Sequence, residues 1–147
     1  MTSIVGEKVT WFLGSGNDYR FEDPDGHVWF DSGAHNNKEG PFASGLPYNT
    51  PGIALPNYNH TLGGWWRVTM PRQNVSMVVV QVDIGPSGVI DLSAALAYLL
   101  FTKPADVPDY TPWRAEYLGR ELPEGTEAVI TNLRTGTVVP IPMPRAA

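Results

Sequence analysis

The segment VSMVVVQVDI, residues 75–84, constrains the fold of this chain more than any other stretch. It contains five valines and one methionine, and β-branched residues favour extended strands. The segment is apolar at nearly every position rather than at every second one, so we expect a central strand that is buried on both faces. The Gly85-Pro86 pair that follows marks a turn.

The rest of the chain contains short strand-like segments separated by turn residues. Its fifteen glycines and fourteen prolines favour turns over long helices. One helix is predicted, from an N-cap at Ser93 to about Leu100. Residues 15–41 are predicted as a long surface loop with a strand fragment at Val28–Phe30. The other predicted strands are KVTWFLG (8–14), PGIAL (51–55), GWWRVTM (64–70), PWRAEYLG (112–119) and a hairpin over 127–141. This pattern predicts an all-β barrel or sandwich.

Composition and charge exclude several classes of function. The chain has 147 residues, enough for one ordinary globular domain, and a net charge of −5 without any basic patch. We therefore expect no nucleic-acid partner and no anionic membrane partner. The absence of cysteine excludes a disulfide scaffold and a thiolate metal site.

The sequence also suggests where the chain is made. Glu7 and Lys8 interrupt the apolar stretch at the N-terminus, which has no basic region, so we expect synthesis in the cytoplasm without a signal peptide. The longest apolar run, near residues 94–101, is far below the ~20 residues that a membrane span needs.

Two acids, Asp83 and Asp91, frame the Gly-Pro turn. Partial burial of Asp83 at the strand end would raise the pKa of its carboxyl, as a general acid requires, whereas the alternative is an Asx-turn that accepts N–H groups from Gly85 or beyond. Asp91 is explained by capping of the following helix, although a tight turn would also bring it to the same groove. The residues alone leave these alternatives open.

The stretch VQVDIGPSGVIDLSAALAYL, residues 80–99, resembles double-psi β-barrel proteins of the rare lipoprotein A type, which are related to expansins and to some lytic transglycosylases. The shared pattern is a valine-rich strand, Asp, Gly-Pro, Ile-Asp-Leu-Ser and an alanine-rich helix. Three shorter matches follow the same order in the chain: ASG (43–45), TLGGWWRVTMP (61–71) and WRAEYLG (113–119). The resemblance covers about residues 9–119.

This resemblance implies a six-stranded double-psi β-barrel over residues 1–119, followed by a hairpin and a proline-rich tail over 120–147. It also implies a groove that binds glycan strands, often those of peptidoglycan, without a cofactor or metal. In the lytic members, one Asp at the Asp83 position acts first as acid and then as base. The candidate substrate-binding residues are Asp91, His60, Trp65, Trp66, Tyr58 and Ser44.

The chain departs from the family at three positions. The family often has Arg where this chain has Ile84 and Val89, and His where it has Leu55. Two functions therefore remain open: a lytic transglycosylase that uses Asp83, and a non-catalytic bacteriophage virion subunit whose C-terminal tail contacts other subunits. The missing export signal favours a phage product in either case.

One further set of residues has the sequence spacing of a metal site. His27, Asp31 and His35 are spaced by four residues, as ligands on one helix face would be. Gly26 and Gly33 argue against a helix there, so no metal site is predicted.

Overall fold

The computed structural model describes residues 3–12, 19–22, 28–31, 42–46, 50–56, 59–101 and 107–143. Its strands are β1 (Ser3–Gly6), β2 (Lys8–Phe12), β3 (Tyr19–Glu22), β4 (Val28–Asp31), β5 (Gly52–Pro56), β6 (Trp65–Met70), β7 (Val75–Gly85), β8 (Val89–Ser93), β9 (Trp113–Gly119), β10 (Val129–Asn132) and β11 (Val138–Pro140). Within these ranges α1 (Ala94–Leu100) is the one α-helix, and short 3-10 helices lie at Asn59–Thr61 and Pro71–Gln73. No helix among the described residues is long and apolar enough to cross a membrane.

The strands form a closed ring. β1 and β2 are separated by Glu7 alone and act as one long strand, which pairs first with β9 and then with β8. From β9 the ring continues through β6, β7 and β5 to β8. The β2–β8 and β5–β7 pairings are parallel, and the other pairings around the ring are antiparallel. The prediction of a mainly-β, six-stranded double-psi barrel is confirmed.

β7 is the central strand and is buried on both faces over residues 77–82, as predicted. Met77 and Val79 pack inside the barrel, where they belong to the main core cluster. Val80 and Val82 lie on the outer side, in a second cluster with Phe42. Because each face of β7 is covered by apolar groups, the strand shows no alternation of polar and apolar residues.

Ser93 connects α1 to the barrel and is buried. Its hydroxyl oxygen accepts the Leu96 backbone N–H at 3.4 Å, which confirms the predicted N-cap. The same hydroxyl accepts the Gly52 N–H at 2.9 Å and donates to the Thr50 carbonyl at 3.0 Å. The start of the helix is therefore bound to the start of β5.

The C-terminal hairpin, β10 and β11, extends the barrel sheet. β10 pairs with β7 at Met77 to Val75, on the edge of β7 that β6 leaves open. Ile141 follows β11 and is 5% exposed within the main core cluster. Val138 and Val139 on β11 are instead 55% and 48% exposed. That this hairpin contacts another subunit remains a prediction.

Three strands are absent from the sequence predictions. β1 precedes the first predicted strand, and β3 pairs with β4 as a two-stranded sheet within the predicted 15–41 loop. β8 occupies the segment that we interpreted as the approach to the helix. It is a strand because β2 and β5 pair with it on its two edges.

Candidate functional site

A row of four residues crosses β2, β8, β5 and β7. Thr10 pairs with Asp91, Asp91 with Ala54, and Ala54 with Asp83. Residues directly opposite on neighbouring strands project from the same face, so these four side chains share one surface. We call this set the acidic row. At about 4.8 Å between strands, the Cα atoms of its two acids lie about 10 Å apart.

The acidic row lies on the outer surface of the barrel. Residues adjacent to Thr10, Asp91 and Ala54 along their strands belong to the main core cluster or pack against it: Val9, Trp11, Ile90, Leu92, Ile53 and Leu55. Since side chains alternate along a strand, the members of the row point away from that core. Thr10, Asp83 and Asp91 are each partly exposed.

A β-bulge in β7 directs Asp83 to this outer surface. Ile53 pairs with Gln81, and the next residue of β5, Ala54, pairs with Asp83. Val82 and Asp83 therefore oppose a single residue of β5. Without the inserted residue, Asp83 would lie on the same face as Gln81, which faces the core. The bulge makes Asp83 a member of the row.

Residues 42–46 form a turn that packs against the bulge. The Ser44 backbone N–H donates to the Val82 carbonyl at 3.1 Å, and the Gly45 N–H donates to the Phe42 carbonyl at 2.8 Å. Phe42 is 2% exposed and packs in the second cluster. The Ser44 hydroxyl accepts the Leu46 N–H at 3.2 Å, so it stabilises this turn beside the acidic row.

The two carboxylates have different hydrogen-bond partners. The Thr10 hydroxyl donates to Asp91 Oδ1 at 2.6 Å, which fixes the orientation of that carboxylate. Asp83 Oδ1 accepts the backbone N–H of Ile84 at 2.9 Å. The capping interpretation of Asp91 is wrong, because Asp91 lies within β8 and Ser93 is the N-cap.

Small residues occupy β5 between the two acids. A Cβ atom at Gly52 would lie 2.4 Å from Val82 Cγ1 and 2.9 Å from the Val80 carbonyl oxygen, so only glycine fits there. Ala54 occupies the centre of the row, and a Cβ atom at Gly85 would lie 3.5 Å from its Cβ. Ala54 itself is only 2% exposed, because it packs in the second cluster with Phe42 and Val82.

Gln81 holds the bulge from the core side. Its Oε1 accepts the Thr61 hydroxyl at 2.6 Å and the Trp66 indole N–H at 3.0 Å. Its Nε2 donates to the Asp83 carbonyl at 3.3 Å. The side chain is 0% exposed, so these contacts form in a dry interior where polar groups need partners.

The two tryptophans of β6 lie on opposite faces, as their adjacency predicts. Trp66 is 0% exposed and packs against the Tyr117 ring at a centroid distance of 5.1 Å, so it is a core residue and not a substrate-binding one. Trp65 pairs with Val80 and packs against the second cluster while remaining partly exposed. It lies on the same outer face as the acidic row.

The remaining candidate residues do not belong to the acidic row. His60 is exposed on the Asn59–Thr61 helix, whose last residue is anchored to Gln81. Tyr58 lies outside the described residues, as do His27 and His35. Among the residues that the structure describes, no three His, Cys, Asp or Glu side chains group to hold a metal ion.

Sequence reasoning missed two residues of this site. Thr10 gives no local signal, because its partner Asp91 is 81 positions away and meets it only through the parallel β2–β8 pairing. Gln81 does give one, since it is a single amide within a run of valines. A lone polar residue inside a doubly buried strand requires buried partners.

Comparisons with known proteins give likenesses to solved structures. No protein-family model matches the chain, and no curated protein matches it. The apo crystal structure of an expansin from Clavibacter michiganensis aligns with a TM-score of 0.49 and 16% identity, covering 88% of this chain and 62% of that one. A point mutant of that expansin in complex with cellohexaose aligns with a TM-score of 0.48 and 16% identity, covering 92% of this chain and 65% of that one. The chain thus spans less than two thirds of the length of either expansin chain.

Proposed function

We propose that the acidic row binds a polysaccharide of the bacterial cell wall, and that Asp83 cleaves the glycan of peptidoglycan by lytic transglycosylation. The observation that carries the proposal is the alignment of two carboxylates and one hydroxyl, on Asp83, Asp91 and Thr10, in register across the outer side of β2, β8, β5 and β7. Carboxylates and hydroxyls are hydrogen-bonding partners for sugar hydroxyls. Asp83, Asp91 and Thr10 are each partly exposed, so their polar groups can contact a ligand.

The partly exposed indole of Trp65 supports the same proposal. It lies on the outer face of β6, and the Val80 position that pairs with it is three residues from Asp83 on β7. An aromatic ring beside hydrogen-bonding groups offers an apolar surface to the face of a sugar ring. Together, Trp65 and the acidic row provide apolar and polar contacts on the same outer face of the barrel.

The proposed reaction needs one carboxyl group. Asp83 in its protonated form donates its proton to the glycosidic oxygen, and the bond between that oxygen and C1 of the muramic residue breaks. The Asp83 carboxylate then takes the proton of the C6 hydroxyl as its oxygen bonds to C1, which leaves a 1,6-anhydro end and the original acid. Asp91, oriented by the hydroxyl of Thr10, binds the sugar without taking part in proton transfer.

Digestion of purified peptidoglycan tests the proposal. Wild-type protein is expected to bind the walls and release soluble anhydro-muropeptides, identified by mass spectrometry. Asp83→Asn keeps the shape of the side chain and removes the acid, so release should fall by about 10²–10⁴-fold while binding is retained. Asp109→Asn is a matched control, because Asp109 is an exposed acid outside the row.

Three results would contradict the proposal. If the Asp83→Asn variant releases products at the wild-type rate, Asp83 is a structural residue and not the catalytic acid. Products with ordinary reducing ends would indicate hydrolysis by two carboxylates, for which inverting enzymes separate the groups by about 6.5–9.5 Å. No binding to peptidoglycan, to chitin oligosaccharides or to cellohexaose would exclude glycan recognition altogether.

A second candidate function is that of a non-catalytic virion subunit. The observation that favours it is the exposure of Val138 and Val139 on β11, the outermost strand of the described hairpin. An exposed apolar strand with an open edge is suited to pairing with another chain. Particle association without any product from walls would support this function over transglycosylation. In either role, we propose that the protein reaches the wall within a phage particle or after lysis of the host.

A further inference from the structure

A concave site, separate from the acidic row, lies on the outer surface of β6, β7 and β10. It is a depression of about 310 Å³, close to the lower limit of about 300 Å³ for small-molecule sites. We call it the outer depression. Its lining includes Arg67 from β6, Ser76 and Val78 from β7, Thr131 from β10, and Glu127 from the segment before β10.

The register of the strands determines which side chains face the outer depression. Thr69 pairs with Ser76, and Ser76 pairs with Thr131, which aligns three hydroxyls across β6, β7 and β10. Two residues along the strands from the Thr69–Ser76 pair, Arg67 of β6 pairs with Val78 of β7. The intervening residues Val68, Met77 and Ile130 pack in or against the main core, so this polar set faces outward.

A tight turn forms one wall of the depression. The Thr126 N–H donates to the Pro123 carbonyl at 2.9 Å, and Gly125 has a φ of +80°, which glycine adopts without strain. The turn brings Glu127 and Val129 beside Val78, which is only 6% exposed although it lies on the outer face. Val78 is therefore largely covered, and polar groups supply most of the exposed lining of the depression.

Arg67 and Glu127 give the depression one charge of each sign. The Arg67 guanidinium contacts Glu116 through one Nη at 3.3 Å, and the two side chains are 46% and 38% exposed. Guanidinium carries five N–H donors, and an exposed ion pair of this kind is weak, so Arg67 can accept a second carboxylate. The Glu127 carboxylate is placed to accept an ammonium group.

From this arrangement we propose that the outer depression binds a short peptide or amino-acid-type ligand that carries both a carboxylate and an ammonium group. The ligand's carboxylate binds Arg67 and its ammonium binds Glu127. Its amides bond to the hydroxyls of Ser76 and Thr131. A small number of placed polar groups fixes the orientation of a ligand in this way.

This site does not depend on the proposed cleavage by Asp83, but the two are compatible in space. Ser76, Val78 and Val80 occupy the outer face of β7, and the bulge places Asp83 on that face too. Asp83 lies five positions after Val78, about 17 Å along an extended strand. A glycan at the acidic row that bears peptide side chains could present one of them to the depression.

Titration of the full-length ¹⁵N-labelled chain followed by NMR tests the proposal. The probe is the free tetrapeptide L-Ala–γ-D-Glu–meso-diaminopimelate–D-Ala. Its addition is expected to shift the amide signals of Ser76, Val78 and Thr131. Arg67→Met and Glu127→Gln should each weaken binding by about tenfold or more, because each removes a charged hydrogen bond. Glu116→Gln removes only the exposed partner of Arg67 and should leave the affinity within about twofold.

The same titration can overturn the proposal. It is wrong if the tetrapeptide shifts none of these signals, or if Arg67→Met and Glu127→Gln bind as the wild type does. It is also wrong if a probe with acetylated amines and amidated carboxyls binds equally well. A tetrapeptide that shifts only the signals around Asp83 would place peptide recognition at the acidic row instead. Wall cleavage is measured separately, so failure at either site is distinguishable.

Discussion

Replacing Gln81 with leucine tests how the core holds the acidic row. The buried Gln81 Oε1 is an acceptor for the Thr61 hydroxyl and the Trp66 indole N–H, at 2.6 and 3.0 Å. Its Nε2 donates to the carbonyl of Asp83 at 3.3 Å. Leucine has a similar size and none of these hydrogen-bonding groups. The substitution therefore removes the polar contacts while approximately retaining the volume.

The expected cost follows from the two donors that lose this acceptor. A buried donor deprived of its partner costs about 1–3 kcal/mol, so Thr61 and Trp66 together give a loss of about 2–6 kcal/mol in the free energy of unfolding. The total for a domain is about 5–15 kcal/mol. The Gln81→Leu variant should fold but unfold at a much lower urea concentration.

A second glutamine provides a matched control. Gln73 Oε1 is buried and has no hydrogen-bond partner among the residues that the structure describes. Gln73→Leu removes an unsatisfied oxygen rather than a satisfied one, so it should be neutral or stabilising. The same substitution therefore has different expected effects at Gln81 in β7 and at Gln73 in the preceding 3-10 helix.

Urea denaturation followed by far-ultraviolet circular dichroism measures these changes, with the slope of the transition checked for constancy. Adding Thr61→Val to Gln81→Leu removes one of the donors that has lost its acceptor. The loss of stability in the double variant should therefore be smaller than the summed losses of the two single variants, by about 1 kcal/mol or more. A loss below about 1 kcal/mol for Gln81→Leu, or no coupling to Thr61, would refute the assigned role of Gln81.

Three further predictions concern the barrel. Val80→Asp places a charge in the second cluster, which costs several kcal/mol, on the order of the total stability, so soluble expression should be lost; a folded variant would contradict this. Gly52→Ala puts Cβ 2.4 Å from Val82 Cγ1 and should lower stability by about 1–3 kcal/mol in denaturation, and an unchanged midpoint would refute the contact. Deleting residues 120–147 removes Ile141 from the core and should lower the melting temperature and change the oligomeric state, whereas no change in either would exclude the role of the hairpin.

The barrel could be predicted because its signals are local. The valine run of β7 requires apolar groups on both faces, and the Ser93 cap and the turn residues of the C-terminal hairpin act within a few positions. β8 was missed because VIDLS is short and directly precedes the helix. It becomes a strand only through pairing with β2 and β5, which lie far away along the chain.

The acidic row could be predicted only in part. The residues around the Gly-Pro turn identified Asp83 and Asp91, but the turn is not what aligns them. Both acids are paired with Ala54 on an intervening strand, a register that no local pattern encodes. Trp66 and Trp65 could be assigned to opposite faces from their adjacency, while the choice of the buried one depended on the location of Gln81.

The position of Asp83 follows from packing on both sides of β7. Gln81 and Asp83 are two residues apart, so a regular strand would turn both toward the core, and a buried carboxylate without partners costs several kcal/mol. The bulge removes this conflict, and three contacts around it favour the bulged form. The Ser44 N–H binds the Val82 carbonyl, the missing side chain of Gly52 leaves space for Val82, and the Gln81 amide donates to the Asp83 carbonyl. The core and the candidate site thus depend on the same inserted residue.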